Sequence, residues 1–191
     1  MSNARNLANF LGTSTTVPSS KLSLAAADMP AGNILQVVNA RTTTLTAFSG
    51  TSDVDIMAVT ITPKLATSKI LVTIDIGVSH QDSFSALVKC KRGSTFIGGG
   101  VVNDSFQSTL ANIWFNIRSQ STDNTNAYAI TPASKSFLDS PNTTSATTYT
   151  CTVSQSGAAS NAGRVNRPVT ANNNAYASSV DSIITVHEIA V

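Results

Sequence analysis

Charge is scarce in this chain of 191 residues: only 12% are charged, with ten acidic residues against twelve basic ones, and Glu188 is the sole glutamate. Helix surfaces draw on Glu, Lys, Arg and Gln, so this poverty excludes a mainly helical protein. The near-neutral balance of +2 argues against a broad phosphate-binding surface and hence against nucleic acid as a partner. Cysteine is as sparse. Cys90 and Cys151 lie far apart and in no CxxC motif, which removes the usual zinc site. Their apolar, alternating neighbours predict two buried thiols, with a disulfide between neighbouring strands as the alternative. Only two histidines, His80 and His187, are available to a nucleophilic triad, and no GxSxG motif accompanies them. Paired carboxylates for glycan cleavage would have to come from aspartates such as Asp53, Asp55 and Asp75. No spaced calcium loop is present, and the run Gly98 to Gly100 lacks the Lys and Ser/Thr of a phosphate-binding loop. The expectation is a protein that is no enzyme and carries no metal or cofactor. No apolar run approaches the ~20 residues that cross a bilayer, so no membrane insertion is expected. Residues 1–5 lack the apolar core of a secretory signal, which predicts synthesis and retention in a cytoplasm until assembly.

What the chain has in excess is hydroxyl and amide. It holds 26 serines, 25 threonines and 16 asparagines, more than a third of all residues. Threonine suits strands, and serine and asparagine suit turns. With 41% hydrophobic residues there is enough apolar material for a core, which rules out long disorder. Composition therefore points to an all-β domain.

The organisation is expected to be an arm over residues 1–30 and a β-sandwich domain over 31–191. Residues 3–11 read as a short helix whose Leu7, Phe10 and Leu11 fall at i, i+3 and i+4 and make one apolar stripe. A helix this short is marginal alone in water, so the stripe needs a surface. That surface is either its own domain or a partner subunit, and the second makes these three residues the partner-anchoring set. Residues 13–20 read as an extended polar stretch in which Pro18 blocks the helix, and residues 21–24 as a short edge strand.

Beyond Pro30, strand patterns follow one another with turn signals between them. The clearest is over residues 69–79, where Ile70, Val72, Ile74, Ile76 and Val78 share one face and should form a wall of the core. Others fall over 34–38, 54–62, 84–91, 95–102, 110–117, 135–138, 147–154 and 182–190, nine in all. The glycine run at 98–100 predicts a bulge or bend. Residues 157–174 read as a polar surface loop. Lys89, Lys91 and Arg92 read as a solvated strand end. An antiparallel β-sandwich, jelly-roll-like in its strand count, is the expected architecture. The last strand is apolar on both faces, Ile183 and Ile189 on one and Ile184, Val186 and Ala190 on the other. It should be covered twice, once by the core and once by a subunit interface or by loops of its own domain. Among the few aromatics, Trp114 and Tyr149 read as core, while Tyr128 and Tyr176 lie in or beside polar loops and are the candidates for receptor contact.

Several stretches carry a resemblance. They are Met29 through Asn39, Ile61-Thr62-Pro63 with Ser68 through Val72, Arg92 through Thr95, Phe137 through Pro141 with Thr147 through Tyr149, and Ile184 through Ala190. Taken in order, they resemble a family of small β-rich structural proteins of tailed phages, common in marine and cyanobacterial phages. Residues 4–9 and 18–22 look like the segment that precedes such domains. The resemblance implies a non-enzymatic virion component with no fixed site motif, often a homotrimer. It would be assembled in the host cytoplasm against other phage virion proteins of the tail or capsid. A short tail fibre or receptor-binding module, attached through its N-terminal arm and facing a host surface glycan or protein, is the first expectation. A capsid decoration or head fibre protein is the alternative, as is a carbohydrate-binding module.

Overall fold

The computed structural model describes residues 25–80, 85–100, 111–118, 129–157, 163–170 and 178–191. The expected helix at 3–11, the polar stretch at 13–20 and the edge strand at 21–24 lie outside the described residues. So do Leu7, Phe10, Leu11, Tyr128 and Tyr176.

Eleven strands are present among the described residues, with one 3-10 turn at Ala26–Asp28. They are β1 (Ile34–Thr42), β2 (Thr46–Phe48), β3 (Val54–Ile61), β4 (Lys69–Ser79), β5 (Ser85–Arg92), β6 (Thr95–Ile97), β7 (Ile113–Arg118), β8 (Thr131–Asp139), β9 (Thr147–Gln155), β10 (Gly163–Val165) and β11 (Ser182–Ile189). All pairings are antiparallel, and they make two sheets packed as a β-sandwich. The six-stranded sheet runs β1-β11-β4-β10-β2, with β8 on the other side of β4. The five-stranded sheet runs β3-β9-β5-β6, with β7 also on β5.

The wall expected on β4 is real: Ile70, Val72, Ile74, Ile76 and Val78 are all buried. β-branched residues at period two suit a pleated, half-buried surface, and this strand supplies five of them in succession. Ile184 and Val186 of β11 extend the wall. The opposite wall is Met57, Val59 and Ile61 of β3, Ala86, Val88 and Cys90 of β5, and Tyr149, Cys151 and Val153 of β9. Cys90 and Cys151 are register partners on neighbouring strands, and both are buried free thiols. Burial pushes the Cys90 thiol up to about 12, with the Asp139 charge adding to it, and burial raises Cys151 as well. Thiols held this far from ionisation pack as small apolar side chains.

The glycine run does make a bend. β6 ends at Ile97, and Gly98 and Gly99 have φ of 62° and 80°. A Cβ on Gly98 would sit 2.9 Å from the Phe137 ring, so the close approach demands glycine. Trp114 is buried there, donates from Nε1 to the Ile97 carbonyl at 2.7 Å and packs on Phe137.

Two short strands add to the nine that the pattern shows. β10 corrects the expected loop at 157–174: Val165 and Asn166 within it are fully buried. Three residues with one apolar side chain carry no readable period, and tertiary pairing with β2 and β4 alone makes them a strand. Asn166 follows with φ 66° and every polar group used. Its Nδ2 donates to the Thr42 and Thr44 carbonyls, its backbone N–H donates to Gly77, and its carbonyl accepts from Val180. Its Oδ1 accepts from the Ser182 hydroxyl.

Replacing Ile74 with Asp would bury an unpaired charge in the middle of the β4 wall. The cost is at least several kcal/mol against a total stability of roughly 5–15 kcal/mol. The variant should lose its cooperative urea transition. A soluble Ile74→Asp protein with a sharp transition would show that the wall tolerates charge and that the core lies elsewhere.

Candidate functional site: the outer face of the six-stranded sheet

Two buried carboxylates tie the sandwich together and so decide which surfaces are left open. Glu188 lies on the core face of β11, fully buried. Its Oε1 accepts from the backbone N–H groups of Lys64 and Leu65 at 2.7 and 3.1 Å, and its Oε2 accepts from Gln36 Nε2 at 2.6 Å. Gln36 donates onward to the Thr62 carbonyl. Burial alone pushes this carboxyl upward. Hydrogen bonds from Gln36, Leu65 and Lys64 outweigh it, helped by the Ser68 hydroxyl close by, and hold the group below its ordinary value. Glu188 therefore fastens the β3–β4 connection to β11 and β1. Asp139, at the end of β8, does the same at another border between the sheets. Arg92 Nη1 donates to both of its oxygens at 2.9 and 2.8 Å and to the Ser140 carbonyl, and the Tyr149 hydroxyl donates to Asp139 at 2.8 Å. Burial, and then that hydrogen bond to Asp139, raise the Tyr149 pKa, keeping the phenol protonated as a donor.

The basic cluster does close a strand that runs into the turn at Gly93, but its side chains are ion-paired rather than merely solvated. Lys89 pairs with Asp53, Lys91 with Asp55 at 2.7 Å and Arg92 with Asp139. The β3–β9–β5 register brings the two aspartates beside the two lysines, a long-range placement that local spacing does not encode. Lys89 also lies over the Phe96 ring. His80 is buried and shares a hydrogen bond with Gln155, whose Oε1 accepts from Gly50 N–H. Among the described residues, no group of three or more His, Cys, Asp and Glu side chains converges in metal-binding geometry.

Among the described residues, the outer face of the six-stranded sheet carries exposed side chains that the register orders in rows across four strands. Val37, His187, Leu71 and Leu138 form one row on β1, β11, β4 and β8. Asn39, Thr185, Thr73 and Ser136 form the next, with Thr73 and Ser136 hydroxyls 2.8 Å apart. Arg41, Ile183, Asp75 and Ser134 form the third. The ends of the apolar row stand out: Val37 is 51% and Leu138 50% exposed, with Ile34 at 56% nearby on β1. His187 Nδ1 lies in this row, closed off from solvent and without a hydrogen-bond partner among the described residues. Past the third row lies an apolar groove of about 390 Å³, lined by Gly77, Ile130, Pro132, Val180, Asp75 and Asp181. A Cβ on Gly77 would sit 2.5 Å from Val180, so glycine leaves the space for that side chain. Asp181, held low by a hydrogen bond from Arg41, sits on the rim.

The double apolar character of β11 now has an orientation. Ile184, Val186 and Ala190 are buried in the core, while Ile183 and Ile189 are half-buried on the outer face. Sequence reading missed both clamps. Glu188 was conspicuous only as the single glutamate, and nothing near Asp139 in sequence announces Arg92 or Tyr149 as its partners. No protein-family model matches the chain, and no curated protein matches it.

A carboxylate held below its ordinary value stabilises the fold above the unfolded-state value of about 4.5, and this contribution is lost as pH falls through the lower folded-state value. Thermal stability should therefore fall on acidification below about pH 4.5. Glu188→Gln, which keeps one acceptor and loses the charge, should be less stable at pH 7 by about 1–3 kcal/mol. It should also show a flatter acid limb. A variant as stable as the parent at neutral pH would remove Glu188 from its clamping role.

Proposed function

We propose that the chain is a non-enzymatic structural module of a tailed-phage virion, a short homotrimeric tail fibre or receptor-binding protein attached through residues 1–28. One observation supports this above the others. The stretches that carry the family resemblance are the ones the two buried carboxylates join. Glu188, in the closing stretch Ile184 through Ala190, bonds to Gln36 in the opening stretch and to the connection between Ile61-Thr62-Pro63 and Ser68 through Val72. Asp139, in Phe137 through Pro141, bonds to Arg92 and Tyr149, each in a further stretch of the resemblance.

Half-exposed Val37 and Leu138 on one sheet face also fit a module that assembles with copies of itself. In this reading the N-terminal stripe of Leu7, Phe10 and Leu11 is buried on another virion protein of the tail or capsid. Burying each side chain contributes about 1.5–3 kcal/mol. Three stripes on a trimer bind as one multivalent plug. Tyr128 and Tyr176 are then the first residues to substitute when host receptor contact is sought.

Antibody raised against residues 31–191 should label intact particles of the phage that encodes the chain, on the tail. A full-length protein complementing a deletion phage should be recovered in purified particles, and a chain lacking residues 1–20 should not. Recovery of the truncated chain at the parental level would place the attachment elsewhere. Absence of the full chain from purified particles would sink the virion reading altogether, and labelling confined to the head would favour a decoration or head fibre protein.

A further inference from the structure

We infer that Cys90 and Cys151 are a latent cross-link. They stay thiols as long as the sandwich is closed, and a transient opening in the presence of a small disulfide oxidant lets a bond form between them that the refolded sheet accommodates. The inference concerns the domain itself and does not rest on the virion reading.

The geometry comes from the phase of the ladder. An antiparallel pair alternates between positions that exchange backbone hydrogen bonds and positions that do not, and side chains lie closer in the second kind. The β5–β9 register runs without a shift from Ala86 opposite Gln155 to Arg92 opposite Tyr149. It is bounded by a bond from the Gly93 N–H to the Thr148 carbonyl and one from the Ser156 N–H to the Ser85 carbonyl, each 2.9 Å. Alternation counted inward from either end makes Cys90 and Cys151 a non-hydrogen-bonded pair. Cα atoms in such a pair are ~4.5 Å apart, inside the ~4.4–6.8 Å that a disulfide spans. Both side chains belong to the core, Cys90 with Ala86 and Val88, Cys151 with Tyr149 and Val153. The two Cβ atoms thus leave the sheet on the same side, and a disulfide needs no change of register.

The same placement keeps the bond from forming in the closed protein. Both thiols are fully buried. Burial also raises both well above the range in which the thiolate, the attacking species, is present. Neither strand is an edge: β9 lies between β3 and β5, and β5 carries β6 and β7 on its other side. Fraying at a border therefore uncovers neither sulfur, and exposure waits for the sheet to come apart. One cysteine thiolate then attacks a sulfur of oxidised glutathione, breaks its S–S bond and releases one glutathione thiol. The other cysteine attacks the protein sulfur of that mixed disulfide and releases the second glutathione thiol. Two electrons and two protons pass from the protein to the oxidant, which leaves as two thiols. Refolding restores the register and brings the sulfurs together, which favours the internal bond over the mixed one.

The test uses the full chain, purified under reductant. Held in folding buffer with oxidised glutathione, it should keep both thiols, counted by alkylation in denaturant and by intact mass. Held at its urea midpoint with oxidised and reduced glutathione, then diluted to native conditions, it should lose two hydrogens in mass. Digestion should then yield one linked peptide pair containing Cys90 and Cys151. The cross-linked protein should keep the circular dichroism of the parent and unfold at a higher urea concentration, because the bond closes a long loop. Cys90→Ala and Cys151→Ala, treated alike, should show no such upward shift. Oxidation in folding buffer as fast as at the urea midpoint would overturn the gating by burial. Glutathione adducts or linked dimers in place of the internal bond would overturn the pairing. A cross-linked chain that unfolds at the same or lower urea concentration than the reduced one would overturn the fit to the native sheet.

Discussion

A carboxylate taken out of water must be given donors, or the fold that buries it will not form. Glu188 meets this condition with donors from two other parts of the chain: one side chain of β1 and two backbone amides of the β3–β4 connection. The arrangement fixes three things together. β11 is held between β1 and β4 in one register, because a slip of one residue would turn Glu188 out of the core and Ile189 into it. The chain crossing between the two sheets is held against the end of β11. The core face of β11 is assigned to Ile184 and Val186, which leaves Ile183, Thr185, His187 and Ile189 for the other side. Asp139 repeats the device, joining β8 to β5 and β9 through Arg92 and Tyr149. Glu188 takes its donors from its own sheet and from the crossing chain, Asp139 takes its donors from the opposite sheet, and together they join the two sheets.

That assignment is the physical origin of the functional reading. In a sandwich whose inner faces are filled by Ile, Val, Cys and Tyr, the outer faces would be expected to be polar. On the five-stranded sheet Lys89 and Lys91 lie over their aspartates, while Leu87 on the same face of β5 is buried. The six-stranded sheet departs from this expectation at Val37, Leu71 and Leu138 in one row and at Ile34, Ile183 and Ile189 in others. Single exposed apolar residues need no explanation, but a row that begins and ends in half-exposed Val37 and Leu138 asks for a partner.

Much of this was written plainly in the sequence, and the part that was not has a common cause. Period two over ten residues made the β4 wall legible, and the same pattern placed Cys90, Cys151, Trp114 and Tyr149 in the core. The bend at Gly98 to Gly100 was visible because glycine runs have few other uses. The two apolar faces of β11 were visible too, but not which of them faced inward, since alternation gives faces without giving sides. β10 was illegible because three residues hold no period, and Asn166 because an asparagine that satisfies every hydrogen bond reads the same as one in a loop. Glu188 and Asp139 were illegible because their partners lie far away in sequence. The partners are set by pairing of strands, which no local window contains. The proposed contact residues, Leu7, Phe10, Leu11, Tyr128 and Tyr176, lie outside the described residues.

A sheet that displays an apolar row must also avoid pairing edge to edge, and β8 shows how the two demands are met. It is the strand beside β4 on the open side of the six-stranded sheet, and an unprotected edge of nine residues would be a template for strand addition. Pro132 removes one backbone donor from it, and Lys135, opposite Ile74 in register, puts a charge on its inward-facing side. Strand addition along β8 would bury that charge and leave the carbonyls facing Pro132 without a donor. Contact through the outer-face side chains, Leu138 first among them, carries neither cost. The same strand thus discourages growth in the plane of the sheet, where assembly would be open-ended.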